Sequence, residues 1–283
     1  PLLTNDCVVI SEIGLKEALR SKEYLNKVPT IAGSNKDEVK LWLATARYFV
    51  DLDYSFIGSI LSIPKVQLSN ENSFEAFNYY RSSAWKIRGV DDPLRSLAKI
   101  GNKDLYAYRY DWDDHRRLVV ADFKKLIGAA HATEIPLLTG NADLVGGYPL
   151  SDLIYPPSFS KRYTSKNMMK FWTHFAKTGT PGMSSNSVLW EPYSFKNGYS
   201  NFLIIDRKKH LKMKSEKISF KYLSEQLSKD KRVDELEKCV ILLQMFTYVG
   251  DDLYDANIGD YRNTCARETS EKFLKDNASF IEY

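Results

Sequence analysis

The chain has 283 residues, of which 43% are hydrophobic and 13% aromatic, with 40 lysines and arginines against 36 acidic residues. This composition indicates a folded globular protein and excludes disordered and collagen-like chains. A formal net charge of +4, spread over so many charged groups, gives no electrostatic reason to expect nucleic acid as the main partner.

Three cysteines, Cys7, Cys239 and Cys265, are too few and too scattered for a disulfide framework, and at most one disulfide is expected. Taken as unpaired, they favour a cytoplasmic location. No targeting signal is visible, and a secreted or periplasmic location stays open because the true N-terminus is not visible. The longest apolar run, residues 239–249, is much shorter than the roughly 20 residues of a membrane helix, so no membrane span is expected.

The first part of the chain predicts an α/β alternation. Helix formers run from Gly14 to Asn26, and an apolar run over 28–32 predicts a buried strand that ends in a turn at 33–35. Residues 36–38 then open a segment whose apolar positions predict a largely buried helix through residue 50. Glu38 is therefore expected at a strand-to-helix junction.

The middle of the chain predicts two helices, one from Ser73 to Trp85 and a short one over 93–100. After a turn at 101–102, the aromatic and alternating residues 105–112 predict the clearest strand of the sequence. His131 is expected on a loop beyond this strand.

The last part begins with a stretch rich in glycine and proline, 140–160, which predicts loop. Apolar residues at helical spacing over 168–175 predict a helix that ends at Gly179. Residues 202–205 and 211–213 flank a basic turn and predict a hairpin, and the pattern beyond them is helical.

Four histidines are the first candidates for catalysis. His115 lies in a charge run and is predicted on a solvated loop, and His174 in an amphipathic helix is predicted to be structural. His210 lies in a basic stretch, where an exposed turn is favoured over an anion-binding role. His131 follows the small residues 128–130, which leave room for an imidazole to project past a strand end. On that context alone, a structural role remains the better interpretation for His131.

Glu38 by itself is typical of an acid that stabilises a helix N-terminus. Together with His131, it gives an acid after one buried strand and a histidine after a later one. In α/β-hydrolases the triad follows the chain order nucleophile, acid, histidine. The nucleophilic serine would then precede Glu38, but no GxSxG motif occurs in residues 1–37 or elsewhere in the sequence.

Three segments resemble one known family. Residues 28–38, VPTIAGSNKDE, resemble the segment that carries the acid in type-B carboxylesterases, the family of cholinesterases and bacterial para-nitrobenzyl esterases. Residues 128–136, GAAHATEIP, resemble the histidine loop of that family, and residues 168–179, MMKFWTHFAKTG, are similar to its helix after the active site. The three matches lie in the family's order, which makes the resemblance stronger than any single match.

The resemblance implies an α/β fold, the C-terminal half of an α/β-hydrolase with a mostly parallel central sheet flanked by helices. Residues 1–283 would be the C-terminal part of one domain, family-like to about residue 213, with a helical extension over 214–283. The expected partner is the family's N-terminal half, which carries the serine and the oxyanion loop. Because half of a sheet exposes an edge and apolar faces, the chain is expected to aggregate when expressed alone.

The resemblance also implies serine-dependent hydrolysis of a small-molecule carboxylic ester, with Glu38 as the acid, His131 as the base and no cofactor. The chain departs from the family at Val39, where glycine is usual, and at Thr139, where an aromatic residue is usual; both changes bear on the pocket wall. Two alternatives remain, a non-catalytic cholinesterase-like adhesion protein and an unrelated soluble binding domain. A GxSxG serine upstream would favour the esterase, and stable folding of the chain alone would favour the unrelated domain.

Overall fold

The structure, a computed structural model, describes residues 7–8, 12–23, 28–53, 65–248, 251–259, 261 and 264–277. The helices in these ranges are α1 (Gly14–Ala18), α2 (Lys40–Leu43), α3 (Glu71–Lys86), α4 (Asp92–Lys99), α5 (Phe123–Leu126), α6 (Ile135–Thr139), α7 (Leu150–Ile154), α8 (Phe159–Thr178), α9 (Phe220–Lys229), α10 (Glu235–Phe246), α11 (Tyr254–Asn257) and α12 (Arg267–Asp276). The strands are β1 (Thr30–Asn35), β2 (Val50–Asp53), β3 (Lys65–Leu68), β4 (Leu105–Tyr110), β5 (Phe195–Lys196), β6 (Tyr199–Ile205), β7 (Lys212–Lys217), β8 (Thr247–Tyr248) and β9 (Asp251–Asp252).

A five-stranded sheet forms the centre of the fold, in the order β1-β4-β6-β5, with β7 also paired to β6. β1, β4 and β6 run parallel, with Thr30 opposite Leu105 and Tyr108 opposite Leu203. β6 and β7 form the antiparallel hairpin that the sequence predicted. Because parallel strands end at one common edge, the loops that follow β1, β4 and β6 meet there.

Helices cover both faces of this sheet. Leu105 and Ala107 of β4 belong to an apolar cluster with α4, whereas Tyr106 and Tyr110 belong to a cluster with α8. Successive side chains of a strand point to opposite faces, so β4 is buried on both of them. The largest apolar cluster packs α3 against α10.

Several predicted elements are confirmed. The two helices predicted in the middle of the chain are α3 and α4, and the aromatic strand is β4. The helix predicted to end at Gly179 is α8, which stops there with a φ of 76° at that glycine. The first predicted helix is present as α1 only to Ala18, and residues 24–26 lie outside the described ranges. The stretch 140–160, predicted as loop, contains α7 and a 3₁₀ turn (Ala142–Val145).

The turn predicted at residues 33–35 is wrong, because these residues continue β1. Gly33 pairs with Tyr108 of β4. A Cβ atom on Gly33 would lie 2.1 Å from Cε1 of the Tyr108 ring, so glycine permits a close approach of this ring to the strand. The glycine that suggested a turn therefore marks a contact between two strands.

The long helix predicted from residue 36 to residue 50 is also wrong. Only α2 is helical there, and the chain then turns so that Val50 pairs with Leu68 in the β2-β3 pair. Ala46 and Phe49 are buried in the cluster of α3 and α10 all the same. Their burial comes from tertiary packing of a turn, which the apolar pattern alone does not distinguish from a helix.

A disulfide joins Cys239 of α10 to Cys265, whereas Cys7 is free and exposed. The expectation of a cytoplasmic location rested on unpaired cysteines, and this pairing removes that ground. In the described part of the chain, no helix has the length and apolar character needed to cross a membrane.

A π-helical turn (Ile87–Asp91) joins α3 to α4 and buries an ion pair. Lys86 Nζ lies 2.7 Å from Asp91 Oδ2, with side-chain exposures of 4% and 1%. Ser200 of β6 donates a hydrogen bond to the same carboxylate at 3.1 Å. The pair therefore ties the π-helical turn to the central sheet.

Replacing Asp91 by alanine is expected to lower the free energy of unfolding by about 3–5 kcal/mol, because it leaves the Lys86 charge buried without a counter-charge. Asp92→Ala is the matched control, since the neighbouring Asp92 side chain is 53% exposed in its pair with Arg95; a change below about 1 kcal/mol is expected. Denaturant unfolding of both variants provides the measurement, and equal losses would contradict the role given to Asp91.

Candidate active site

The carboxyl end of β1 leads directly into an acidic loop. Asn35 ends the strand, and Glu38 follows before α2 begins. Glu38 is 4% exposed, and its Oε1 accepts a hydrogen bond from the Asn35 backbone N–H at 2.7 Å. The second carboxylate oxygen is thereby directed toward the loop that carries His131.

His131 pairs with Glu38 at this edge of the sheet. Its Nδ1 donates to Glu38 Oε2 at 2.9 Å, and its backbone N–H donates to the Glu38 carbonyl at 3.1 Å. The His131 side chain is 48% exposed, while that of Glu38 is 5% exposed. Nε2 of His131 makes no hydrogen bond to any residue in the described ranges. A buried carboxylate thus orients an imidazole whose other nitrogen is open to proton transfer.

The electrostatic surroundings raise the pKa of His131 above its ordinary value of 6.5. The hydrogen bond to Glu38 is the largest cause, partial burial opposes it, and the charges of Glu38 and Glu134 add to the rise. Glu134 is itself a carboxyl group with a raised pKa, chiefly because it is buried.

Asn35 and Asp37 hold the acidic loop and the histidine loop together. The Asn35 side-chain amide donates to the Ala130 carbonyl at 2.7 Å and to Glu134 Oε2 at 2.5 Å. Asp37 exchanges two bonds with Ala129, because its backbone N–H donates to the Ala129 carbonyl and its Oδ2 accepts from the Ala129 N–H, both at 3.0 Å. These hydrogen bonds form a joint between the acidic loop and the histidine loop. The joint fixes the position of His131.

Two tryptophans pack against the His131 ring. The centroids of Trp42 on α2 and Trp85 on α3 each lie 5.4 Å from it, and the two indoles stack on each other at 6.1 Å. Aromatic faces attract a cation, so this pair favours the imidazolium form and limits rotation of the ring. Trp42 and Trp85 therefore form an apolar wall beside the His131–Glu38 pair.

His115 is buried, so its predicted place on a solvated loop is wrong. It is 5% exposed, and its two ring nitrogens contact the carbonyl oxygens of Ile154 and Gly128, the latter at 2.7 Å. Although His115 lies in a run of charged residues, its ring packs edge-on against Trp112, with ring centroids 5.2 Å apart. His115 supports the start of the histidine loop.

The other two histidines lie outside this pair. His174 on α8 contacts the Thr180 carbonyl at 2.6 Å, which fits its predicted structural role. His210, in the turn after β6, has its Nδ1 2.9 Å from Asp206 Oδ2 and is 47% exposed. Asp206 also accepts a bond from the Arg207 backbone N–H, so this second pair is a local feature of one turn. No cluster of residues suited to a metal ion occurs among the described residues.

The sequence pattern did not single out four of these residues. Asn35 and Asp37 lie within the acidic segment. The adjacent acids Asp37 and Glu38 before α2 were the only feature of the sequence that could have indicated a role for Asp37. Trp42 and Trp85 were interpreted as core residues of helices. Nothing local in the sequence distinguishes a tryptophan that packs in the core from one that packs on a histidine 46 residues away.

A family model described as the carboxylesterase family matches residues 76–222, just over half of the sequence. The chain belongs to the carboxylesterase family. The matched residues include His131 but begin after Glu38 in the sequence. The resemblance to type-B carboxylesterases is confirmed, and the mostly parallel sheet with helices on both faces agrees with the predicted α/β-hydrolase fold.

Individual relatives match over parts of their length. Bile salt-activated lipase of Homo sapiens is 35% identical over 109 residues, which cover 38% of this chain and 13% of that protein. The Geobacillus stearothermophilus carboxylesterase EST55 is 17% identical with a TM-score of 0.44, over 74% of this chain and 42% of that one. Aspergillus niger EstA is 16% identical with a TM-score of 0.45, over 77% and 43%. The chain thus spans less than half the length of each of these proteins.

The joint beneath His131 predicts that Gly128→Ala is more destabilising than a typical glycine replacement. Gly128 has a φ of 54°, and an added Cβ would lie 2.5 Å from Asp37 Oδ2. Gly147 is the matched control, since its φ is 73° and no atom lies within 4 Å of an added Cβ. Beyond the backbone strain common to both, Gly128→Ala is expected to cost about 1–3 kcal/mol more in unfolding free energy, measured by denaturant titration. Equal losses of unfolding free energy in the two variants would show that the contact of the added Cβ with Asp37 does not affect stability.

The raised pKa of His131 predicts a titration midpoint above 6.5 in the folded protein. The pair with Glu38 then stabilises the fold fully below the unfolded-state pKa, and this stabilisation is lost as the pH rises through the folded-state pKa. Imidazole NMR gives the midpoint directly. Glu38→Gln is expected to lower it, whereas Glu71→Gln, in an exposed pair with Lys125, leaves it unchanged. A midpoint that Glu38→Gln does not move would refute the assigned cause.

Proposed function

We propose that this chain supplies the acid and the base of a serine carboxylesterase that hydrolyses small-molecule carboxylic esters. The observation that supports this is the 2.9 Å contact between His131 Nδ1 and Glu38 Oε2 at the carboxyl edge of a parallel sheet, in a chain of the carboxylesterase family. Family membership supports ester hydrolysis in general. The assignment of Glu38 and His131 to the triad is the finer part of the proposal.

In the proposed mechanism, Glu38 keeps Nδ1 of His131 protonated and stabilises the imidazolium that forms. Nε2 of His131 takes the proton of a serine and later returns it to the leaving alcohol. The attacked ester carbonyl becomes an oxyanion, which backbone N–H groups would hold. The serine and these N–H groups belong to the N-terminal half of the protein, the partner proposed here.

The outer edge of β1 supports the proposal of this partner. β4 is the strand paired with β1, and no strand of the described ranges pairs with the opposite edge of β1. A strand of the N-terminal half would complete the sheet there and cover the edge.

We place the boundary of the family-like part at about residue 213, with 214–283 as a helical extension of the same domain.

The disulfide bears on the compartment. Disulfides persist in oxidising compartments and are rare in the cytoplasm, so the Cys239–Cys265 bond supports a location outside the cytoplasm. Mass spectrometry after thiol labelling of the denatured, unreduced protein tests the disulfide, because Cys239 and Cys265 would remain unlabelled although unfolding exposes them.

His131→Ala is expected to lower kcat for a para-nitrophenyl ester by several powers of ten in the intact protein, because the serine loses its base. His210→Ala is the matched control, since His210 has nearly the same exposure and the same 2.9 Å distance to a carboxylate. That variant is expected to keep its activity within about twofold.

A fluorophosphonate label read by intact-mass spectrometry completes the test, because it reports an activated serine without a chosen substrate. Labelling that His131→Ala abolishes and His210→Ala preserves would support the proposal. Activity that survives His131→Ala would refute the assignment of the base. A folded intact protein that takes no label would favour the adhesion protein instead.

A further inference from the structure

A small cavity lies between α3 and α10, behind the tryptophan wall. Its volume is about 10 Å³, and its lining includes Val39, Arg81, Trp85, Gln244 and Met245. Val39 follows Glu38 in the chain, and Trp85 packs against His131 on its other side. The cavity therefore adjoins the proposed site through these two residues.

Arg81 brings an unpaired positive charge to this cavity. Its side chain is buried, with 4% of the residue exposed, and its buried Nη1 atom has no hydrogen-bond partner among the described residues. Burial lowers the pKa of the guanidinium to about 10, so the group stays cationic at neutral pH. Buried charges in folded proteins are normally paired, because an uncompensated charge in a low-dielectric interior is strongly unfavourable.

Gln244 of α10 presents a second unsatisfied polar group to the same cavity. The residue is 8% exposed, and neither its Nε2 nor its Oε1 has a hydrogen-bond partner among the described residues. Each unsatisfied buried polar group in a native protein calls for a physical explanation. Here Nη1 of Arg81 and Nε2 of Gln244 lie on two different helices and each require an acceptor, while Oε1 of Gln244 requires a donor.

We propose that this cavity binds a single monatomic anion, a halide such as chloride, between Arg81 and Gln244. A volume of about 10 Å³ accommodates one water-sized sphere. Chloride is also a single sphere, larger than water but smaller than any carboxylate or phosphate, so it asks for less outward movement of the lining side chains than those anions do. A neutral water would satisfy the hydrogen bonds but would leave the charge of Arg81 uncompensated, so the charge favours the anion.

The site would hold α3 to α10 and thereby support Trp85. It does not depend on the proposed esterase activity, because its residues act on stability. Binding to the folded state alone raises stability with ligand concentration. The melting temperature of the intact protein is therefore expected to be about 2–4 °C higher in sodium chloride than in sodium gluconate of equal ionic strength, since gluconate cannot enter.

Two arginine variants make this test specific. Arg81→Met is expected to abolish the difference between chloride and gluconate. Arg117→Met is the matched control, because the Arg117 side chain is 64% exposed, and it is expected to preserve the full difference. If Arg81→Met does not fold, Gln244→Leu keeps the cationic partner and is expected to reduce the shift by at least half.

Crystals of the intact protein grown in sodium bromide locate the ion. An anomalous peak within hydrogen-bond distance of both Arg81 and Gln244 is the expected result. Three outcomes would overturn the proposal: equal melting temperatures in chloride and gluconate, a water without anomalous signal at this position, or an acidic side chain from outside this sequence paired with Arg81.

Discussion

The arrangement of the candidate site depends on a hydrogen-bonded joint between two loops that are far apart in sequence. The Asn35 amide and the Asp37 carboxylate bind the backbone of Ala130 and Ala129, which immediately precede His131. Parallel pairing of β1 with β4 first brings the two loops to one edge of the sheet. The joint then removes the remaining freedom of the histidine loop, so the contact between His131 and Glu38 forms at a preset position.

Burial within the pair is unequal, and this matters for its chemistry. Glu38 is enclosed and receives a backbone hydrogen bond, so its carboxylate cannot turn away from the imidazole. His131 is half-exposed and keeps its outer nitrogen accessible. The pair formed by Asp206 and His210 has the same 2.9 Å distance between imidazole and carboxylate within a single turn, so the distance alone does not distinguish the two pairs.

The tryptophan wall connects this pair to the interior of the fold. Trp85 lies between the His131 ring and the cavity that holds Arg81 and Gln244. α3 therefore has two roles, since one of its faces builds the core with α10 and its last turn reaches the site. A substitution in the α3–α10 interface that moves Trp85 would consequently change the contact of Trp85 with the His131 ring.

Much of the secondary structure was predictable because its causes are local. The helices α3, α4 and α8, the strand β4 and the β6-β7 hairpin each follow from the periodicity of apolar residues and from capping or turn residues within the same segment. The acid and the histidine were candidates for a similar reason, since each follows a strand and lies in a segment with family resemblance.

What the sequence by itself determined is therefore the part of the regular structure with local causes, which includes α3, α4, α8 and β4, and the two residues of the candidate pair. Only the tertiary structure decided that Gly33 continues a strand beneath Tyr108, that His115 is buried, and that Cys239 meets Cys265. The physical reason is the same in each case. The environment of these residues is made by partners that are distant in the chain, and a local pattern of hydrophobicity or charge carries no information about which partners those are.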